Sequence, residues 1–208
     1  RSSATNDDEF TFLSGIFDGH GVEGHIVANY IVRKFPYHLA SELASLDRWD
    51  DASIIAALNK TFVDIDIYGP PNMLRGGSTG SVVLRRGSKL YIANTGDSKT
   101  MVASLPTQPA KGQAGPTFED AQIMYKTVNH KATLPEEYAR IKALNGTINI
   151  NPKNNVSHVV VYSVTAREPI ALAMSRSIGD WEWKPIGVTA EPTIDVVDLD
   201  QYPNSFLV

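Results

Sequence analysis

The residues able to do chemistry that stand closest together in this chain are Asp18 and His20, in the stretch Ile16-Phe17-Asp18-Gly19-His20-Gly21. An apolar run of β character, Phe10 to Phe17, ends at Asp18, and a helical pattern begins after Gly24. The carboxylate and the imidazole are therefore predicted at the lip of a sheet, in a glycine-loosened turn. A carboxylate there can bind a hard cation through oxygen, and glycine lets backbone carbonyls approach the same ion. An imidazole beside it is the side chain best suited to pass a proton near neutral pH. Asp and Gly are also common turn formers, so on its own the stretch reads more readily as a plain turn.

Asp97, in Asn94-Thr95-Gly96-Asp97-Ser98, and Asp180, in Ser175-Arg176-Ser177-Ile178-Gly179-Asp180, also fall at predicted turns, where an exposed aspartate is ordinary. Other reactive patterns fail on context. Gly76-Gly77-Ser78-Thr79-Gly80 matches a serine nucleophile elbow, but a Pro-Pro loop precedes it and a strand follows, where the elbow needs a strand and then a helix. Gly80 and Gly87 are too far apart for a phosphate loop. His20, Glu23 and His25 are one residue off a zinc-helix pattern whose helix the glycines oppose, and His25 reads as a surface residue. The chain has no cysteine, which excludes thiolate nucleophiles, thiolate zinc sites and disulfides.

The elements that must position these residues are legible in outline. A helical stripe of Ile26, Val27, Tyr30 and Ile31 runs from Glu23 towards Leu46, with Pro36 expected to break or kink it. Asp50 or Asp51 caps a second helix carrying Ile54, Leu58, Phe62 and Ile65. Beyond the breaker Tyr68 to Asn72, strands are predicted at Thr79–Arg85, Lys89–Asn94 and Lys99–Ser104, joined by turns as an antiparallel meander. Arg1 to Asp8 is expected to fray and Pro106 to Pro116 to form an exposed loop. A strand follows at Gln122–Val128, then a helix opened by Leu134-Pro135 and closed by Asn145-Gly146. Asn149 to Ser157 reads as a polar loop, before strands at Val159–Thr165 and Ile170–Met174 and extended pieces from Val188 onward. Helices grouped ahead of a strand-rich middle predict an α+β fold.

At 208 residues the chain fits one domain, and 42% hydrophobic with 20% charged residues is the balance of a globule. A net charge of −4 with no basic cluster beyond Arg85-Arg86 argues against nucleic acid as partner. No apolar run reaches the roughly 18 residues of a membrane span, and no leader is visible at Arg1, so a cytoplasmic protein without membrane attachment is expected.

Order and wording along the chain resemble the protein phosphatase 2C family of metal-dependent serine/threonine phosphatases. The phrases are Phe17-Asp18-Gly19-His20-Gly21, Gly77-Ser78-Thr79, Ala93-Asn94-Thr95-Gly96-Asp97-Ser98, Asn129-His130-Lys131 leading to Glu137 and Arg140-Ile141, and Leu172 to Asp180, then Lys184 and Ala190-Glu191-Pro192. The resemblance implies a four-layer αββα sandwich of two antiparallel sheets flanked by helices, as a single domain over residues 1–208. It implies hydrolysis of phosphoserine and phosphothreonine in phosphoprotein substrates by a metal-activated water, without a covalent intermediate, by a monomer in the cytoplasm or nucleus. Asp18 would bridge two Mg²⁺ or Mn²⁺ ions, Gly19 would lend its carbonyl, His20 would be the general acid, and Asp97 would help hold a third, weaker ion. The phrases around Ser78, His130, Glu137, Arg140 and Arg176 read as architectural.

Departures from the family pattern are Val22 for a frequent glycine, Lys99 for arginine and Asn129 for aspartate. The family's phosphate-binding arginine and acidic pair lie upstream of the Asp-Gly-His phrase, and Asn6-Asp7-Asp8 is too close to Asp18 to supply them. Two further aspartate ligands belong downstream of Val208. Either residues are absent from this sequence, or it is a fragment, or it is a variant lacking full activity, and the second expectation is a catalytically inactive relative acting as a binding or regulatory module.

Overall fold

The structure, a computed structural model, describes residues 11–106, 117–202 and 204–208. The first apolar stripe folds as one helix, α1 (Gly24–Ala44), burying Val27, Ile31, Phe35, Leu39 and Leu43. Of the break or kink expected at Pro36, the break does not occur, for Pro36 lies inside the helix. A helical proline forfeits one backbone hydrogen bond and strains its turn, and here the adjacent burial of Phe35, whose ring sits 5.8 Å from Phe17 and 5.0 Å from Phe62, offsets that cost. The second helix, α2 (Asp51–Ile67), starts where Asp50 accepts the Ser53 N–H at 2.9 Å.

The strands are β1 (Thr11–Ile16), β2 (Gly19–Gly21), β3 (Gly76–Ser78), β4 (Gly80–Arg86), β5 (Lys89–Thr95), β6 (Met101–Ser104), β7 (Gln122–Lys126), β8 (Thr147–Ile150), β9 (Ser157–Ser163), β10 (Glu168–Leu172), β11 (Ile178–Gly179), β12 (Thr193–Asp198) and β13 (Ser205–Leu207); a third helix, α3 (Pro135–Ala143), precedes β8. Antiparallel ladders join them in the orders β1-β4-β5-β12, β13-β6-β7, β10-β9-β8 and β11-β3-β2.

Alternation along β4 and β5 supplies both faces of the central sheet. Val82, Leu84, Tyr91 and Ala93 meet α1 and α2, while Val83, Leu90 and Ile92 meet Val102 of β6 and Tyr125 of β7. The result is helices, sheet and sheet in layers, the α+β arrangement expected. A separate core, with Ile141, Val159, Leu172, Met174 and Trp183, joins α3 to the sheet of β8 to β10.

The predicted meander holds for its first hairpin only. β5 takes β12 as its other neighbour, and β6 crosses to the second sheet. Gly96, at φ +97, turns the chain out of the first sheet rather than back along it. Asn149, expected in a loop, pairs with His158 in the β8–β9 ladder. Residues 1–8 and 107–116, where fraying and an exposed loop are expected, lie outside the described residues. Among the described residues no helix is long and apolar enough to cross a membrane.

A buried polar knot ties α3 to the segment ahead of β11. The Glu137 carboxylate, 1% exposed, accepts from Arg140 Nη1 and Nη2, Arg176 Nε and Nη2, and Ser175 Oγ. Burial alone would push Glu137 up, but the hydrogen bonds from Arg140, Arg176 and Ser175 outweigh it and hold the carboxyl at about 2. Arg140 also donates to the carbonyls of Ser175 and Gly187, and Arg176 to that of Glu191.

His130 stands at the knot's edge. Its Nδ1 accepts the Gly96 N–H at 3.1 Å, so the ring proton sits on Nε2, 3.3 Å from Thr193 Oγ1. This neutral tautomer is built in: burial first, then the charge of Arg176, lowers the His130 pKa from 6.5 to about 4. The unfolded chain therefore takes up this proton first as pH falls. Stability from His130 is whole above about pH 6.5 and lost between 6.5 and 4, by roughly 3 kcal/mol. Urea titrations across that window are expected to show wild type losing its advantage over His130→Gln as pH drops. An advantage constant from pH 7 to 4 would contradict this assignment.

Candidate active site

Asp18 lies just past β1 with its backbone clamped and its carboxylate exposed. Its N–H donates to Thr79 Oγ1 at 3.1 Å, its carbonyl accepts the Thr79 N–H at 3.0 Å, and Thr79 Oγ1 meets Ser98 Oγ at 2.6 Å. The next residue passes the start of α1 at backbone contact. A Cβ on Gly19 would fall 2.3 Å from the Gly24 carbonyl oxygen, and one on Gly76 2.6 Å from the Gly24 nitrogen. Hence the glycines around the aspartate are needed for space as much as for turning.

Strand β3 then brings two distant residues together. β2 pairs on one side of it, setting His20 opposite Gly77, and β11 on the other, setting Gly179 opposite Gly77. Asp180 follows in the left-handed region at φ 53, and a Cβ on Gly77 would lie 2.2 Å from its Oδ2. Into that space fits the contact between His20 Nε2 and Asp180 Oδ2, 2.6 Å long and spanning 160 residues of sequence. Asp180, expected as an exposed turn residue, is 2% exposed. Turn aspartates are usually solvated, but this one has an imidazole to compensate its burial. Burial works to lower the His20 pKa, yet the hydrogen bond and charge of Asp180 prevail, aided by the Asp18 backbone and the charge of Asp97, and the pKa is raised above 6.5. The imidazole thus keeps its proton into the range where it can donate it.

Asp66, from α2, accepts the Gly179 N–H at 2.6 Å and faces Lys184 Nζ at 3.1 Å, while Lys184 donates to the Ser177 carbonyl at 2.6 Å. Burial pushes Asp66 up and Lys184 down, and the attraction between the two offsets part of that cost. Sequence reasoning missed this clamp. The available signal was spacing, since Ile54, Leu58, Phe62 and Asp66 recur every four residues and put a carboxylate on the buried face of α2.

Asp97 is held differently. Its carboxylate pairs with Lys131 Nζ at 2.5 Å, and Lys131 also donates to the Ala173 carbonyl at 3.0 Å. Its neighbour Ser98 reaches the Thr79 hydroxyl that clamps Asp18. Ser78 is fully buried and donates to the Thr79 carbonyl, which removes it as a nucleophile. Among the described residues no three His, Asp or Glu side chains gather as a metal site. The oxygen donors at Asp18 and Gly19 fit a hard divalent cation in kind and make part of a shell that takes about six.

His20 and Asp180 open onto a cleft of about 560 Å³ lined further by Val22, Leu74, Ile170, Leu172, Met174 and Trp183. Asp180→Asn removes the charge that holds the imidazole's proton, so the His20 titration midpoint, read by NMR of the ring nitrogens, is expected to move down. A midpoint left in place would show that the pair does not govern this proton.

The protein phosphatase 2C family model matches residues 1–208. Probable protein phosphatase 2C 41 of Arabidopsis thaliana is 30% identical over 217 residues, covering 94% of this chain and 57% of the relative. Probable protein phosphatase 2C 64 of Oryza sativa subsp. japonica is 33% identical over 91% of this chain and 44% of its own length. The chain thus spans about half the length of the curated relatives it matches. The crystal structure of a serine-threonine phosphatase 2C from Toxoplasma gondii shares the fold at a TM-score of 0.64 and 18% identity, over 96% of this chain and 66% of that one. Metal dependence is general in this family. Matched by the family model from its first residue to its last, the chain belongs to the protein phosphatase 2C family.

Proposed function

We propose that this chain carries the proton-donating half of a metal-dependent phosphatase site acting on phosphoserine and phosphothreonine in proteins. The observation that carries the reading is the 2.6 Å contact of His20 with buried Asp180 beside the exposed carboxylate of Asp18. Asp18 and the Gly19 carbonyl would hold Mg²⁺ or Mn²⁺, and Asp97 would serve a third, weaker ion. A pair of such cations supplies neutralisation of the phosphate monoester's charge and an acidified water as attacking group, with no covalent intermediate.

The residues of this chain do the rest. A serine or threonine alkoxide is a poor leaving group and needs a proton as its bond to phosphorus breaks. In this reading His20 gives that proton, supported by the Asp180 carboxylate that raises its pKa and holds the ring through the 2.6 Å contact. Thr79, itself bonded to Ser98, fixes the Asp18 backbone and so the position from which its carboxylate projects. The alternative of an inactive module is disfavoured by the His20–Asp180 pair, for a binding surface has no need to keep a proton donor beside an exposed carboxylate.

Turnover of a phosphoserine peptide by the full-length protein is expected to need Mn²⁺ or Mg²⁺ and to vanish in Asp18→Ala; metal-independent turnover, or full activity in that variant, would refute the proposal. For His20→Ala the expected loss is about 10²- to 10⁴-fold on the peptide and much smaller on p-nitrophenyl phosphate, whose leaving group needs no proton. Equal losses on the two substrates would remove the acid role from His20.

A further inference from the structure

The cleft that opens at His20 and Asp180 continues along an apolar wall. Ile170, Leu172, Met174 and Trp183 form its floor, and Val22 and Leu74 stand at its mouth, 71% and 39% exposed. The charges that line it already have partners: Arg75 pairs with Glu23 at 3.2 Å, Glu182 accepts from Ser163 Oγ at 2.9 Å, and Asp180 is bound to His20. The volume of about 560 Å³ is that of a site for one or two large side chains beyond the reacting group. Continuous with the proton donor and rich in aliphatic and aromatic surface, with Arg75 and Asp180 ion-paired and Glu182 hydrogen-bonded, the wall offers most to an apolar flank.

Resting on the phosphatase reading above, we propose that this wall is the subsite for a large apolar side chain next to the phosphorylated residue, so that the preferred substrates are phosphoproteins with a Leu-, Met- or Phe-type residue beside the phosphoserine or phosphothreonine. Val22, Leu74, Ile170 and Met174 are its selecting residues. Burial of one such side chain is expected to favour binding by about ten- to a hundredfold over alanine at the same position.

The test uses the full-length protein in Mn²⁺ buffer and fluorescently labelled peptides bearing a non-hydrolysable phosphonate analogue of phosphoserine, flanked by leucine, alanine or aspartate. Fluorescence polarisation is expected to rank leucine at least tenfold tighter than alanine, with aspartate weakest. In Val22→Ser/Leu74→Ser, whose exposed positions spare the core, the leucine-to-alanine ratio is expected to fall below about threefold. Equal affinities for the three peptides, tightest binding of the aspartate peptide, or a ratio unmoved in the double variant would overturn the subsite. Turnover of p-nitrophenyl phosphate separates the two readings. Turnover without a leucine preference defeats the subsite alone, and a leucine preference without turnover upholds the subsite while defeating the phosphatase reading.

Discussion

The carboxylate of Glu137 is the point on which the far side of the site hangs. An isolated carboxylate buried at 1% exposure would protonate or unfold its surroundings; this one instead draws Arg140, Arg176 and Ser175 to itself. Two of those partners begin the segment that ends in Asp180. The segment is therefore pinned at its start by α3 and, through Asp66 and the Gly179 N–H, near its end by α2. Between the two pins the chain has little choice about where the Asp180 carboxylate goes.

The opposite wall is fixed by absence of side chains. Gly76 and Gly77 of β3, with Gly19 and Gly24, let the lip of the sheet, the start of α1 and the Asp180 corner meet at distances no Cβ would tolerate. Chemistry and packing divide cleanly here. Asp18, His20 and Asp180 hold the charges, and the glycines set how near those charges can come.

Local patterns made much of this readable. Both long helices announced themselves by apolar spacing, whereas Asp18 and His20 read locally as a turn and gained meaning only from the ordered phrases along the whole chain. What escaped was non-local. Nothing in Lys99 to Ser104 says that its strand pairs with β7 and β13 rather than β5, because partner choice is made by the burial of Val102 on the far face of the sheet. Asp180 looked like any turn aspartate, since its burial depends on an imidazole 160 residues away. Pro36 looked like a break or kink because the energy of seating Phe35 between two rings lies outside the helix itself.

The ion pair of Asp97 with Lys131 has a consequence for how this site would respond to its medium. A carboxylate already matched by an ammonium, itself tethered to the Ala173 carbonyl, is no vacant ligand. A divalent ion at Asp97 would compete with a counterion already tethered beside it. Any cation that Asp97 would hold would therefore be held less tightly than at a free carboxylate, because Lys131 is a competitor the protein always carries.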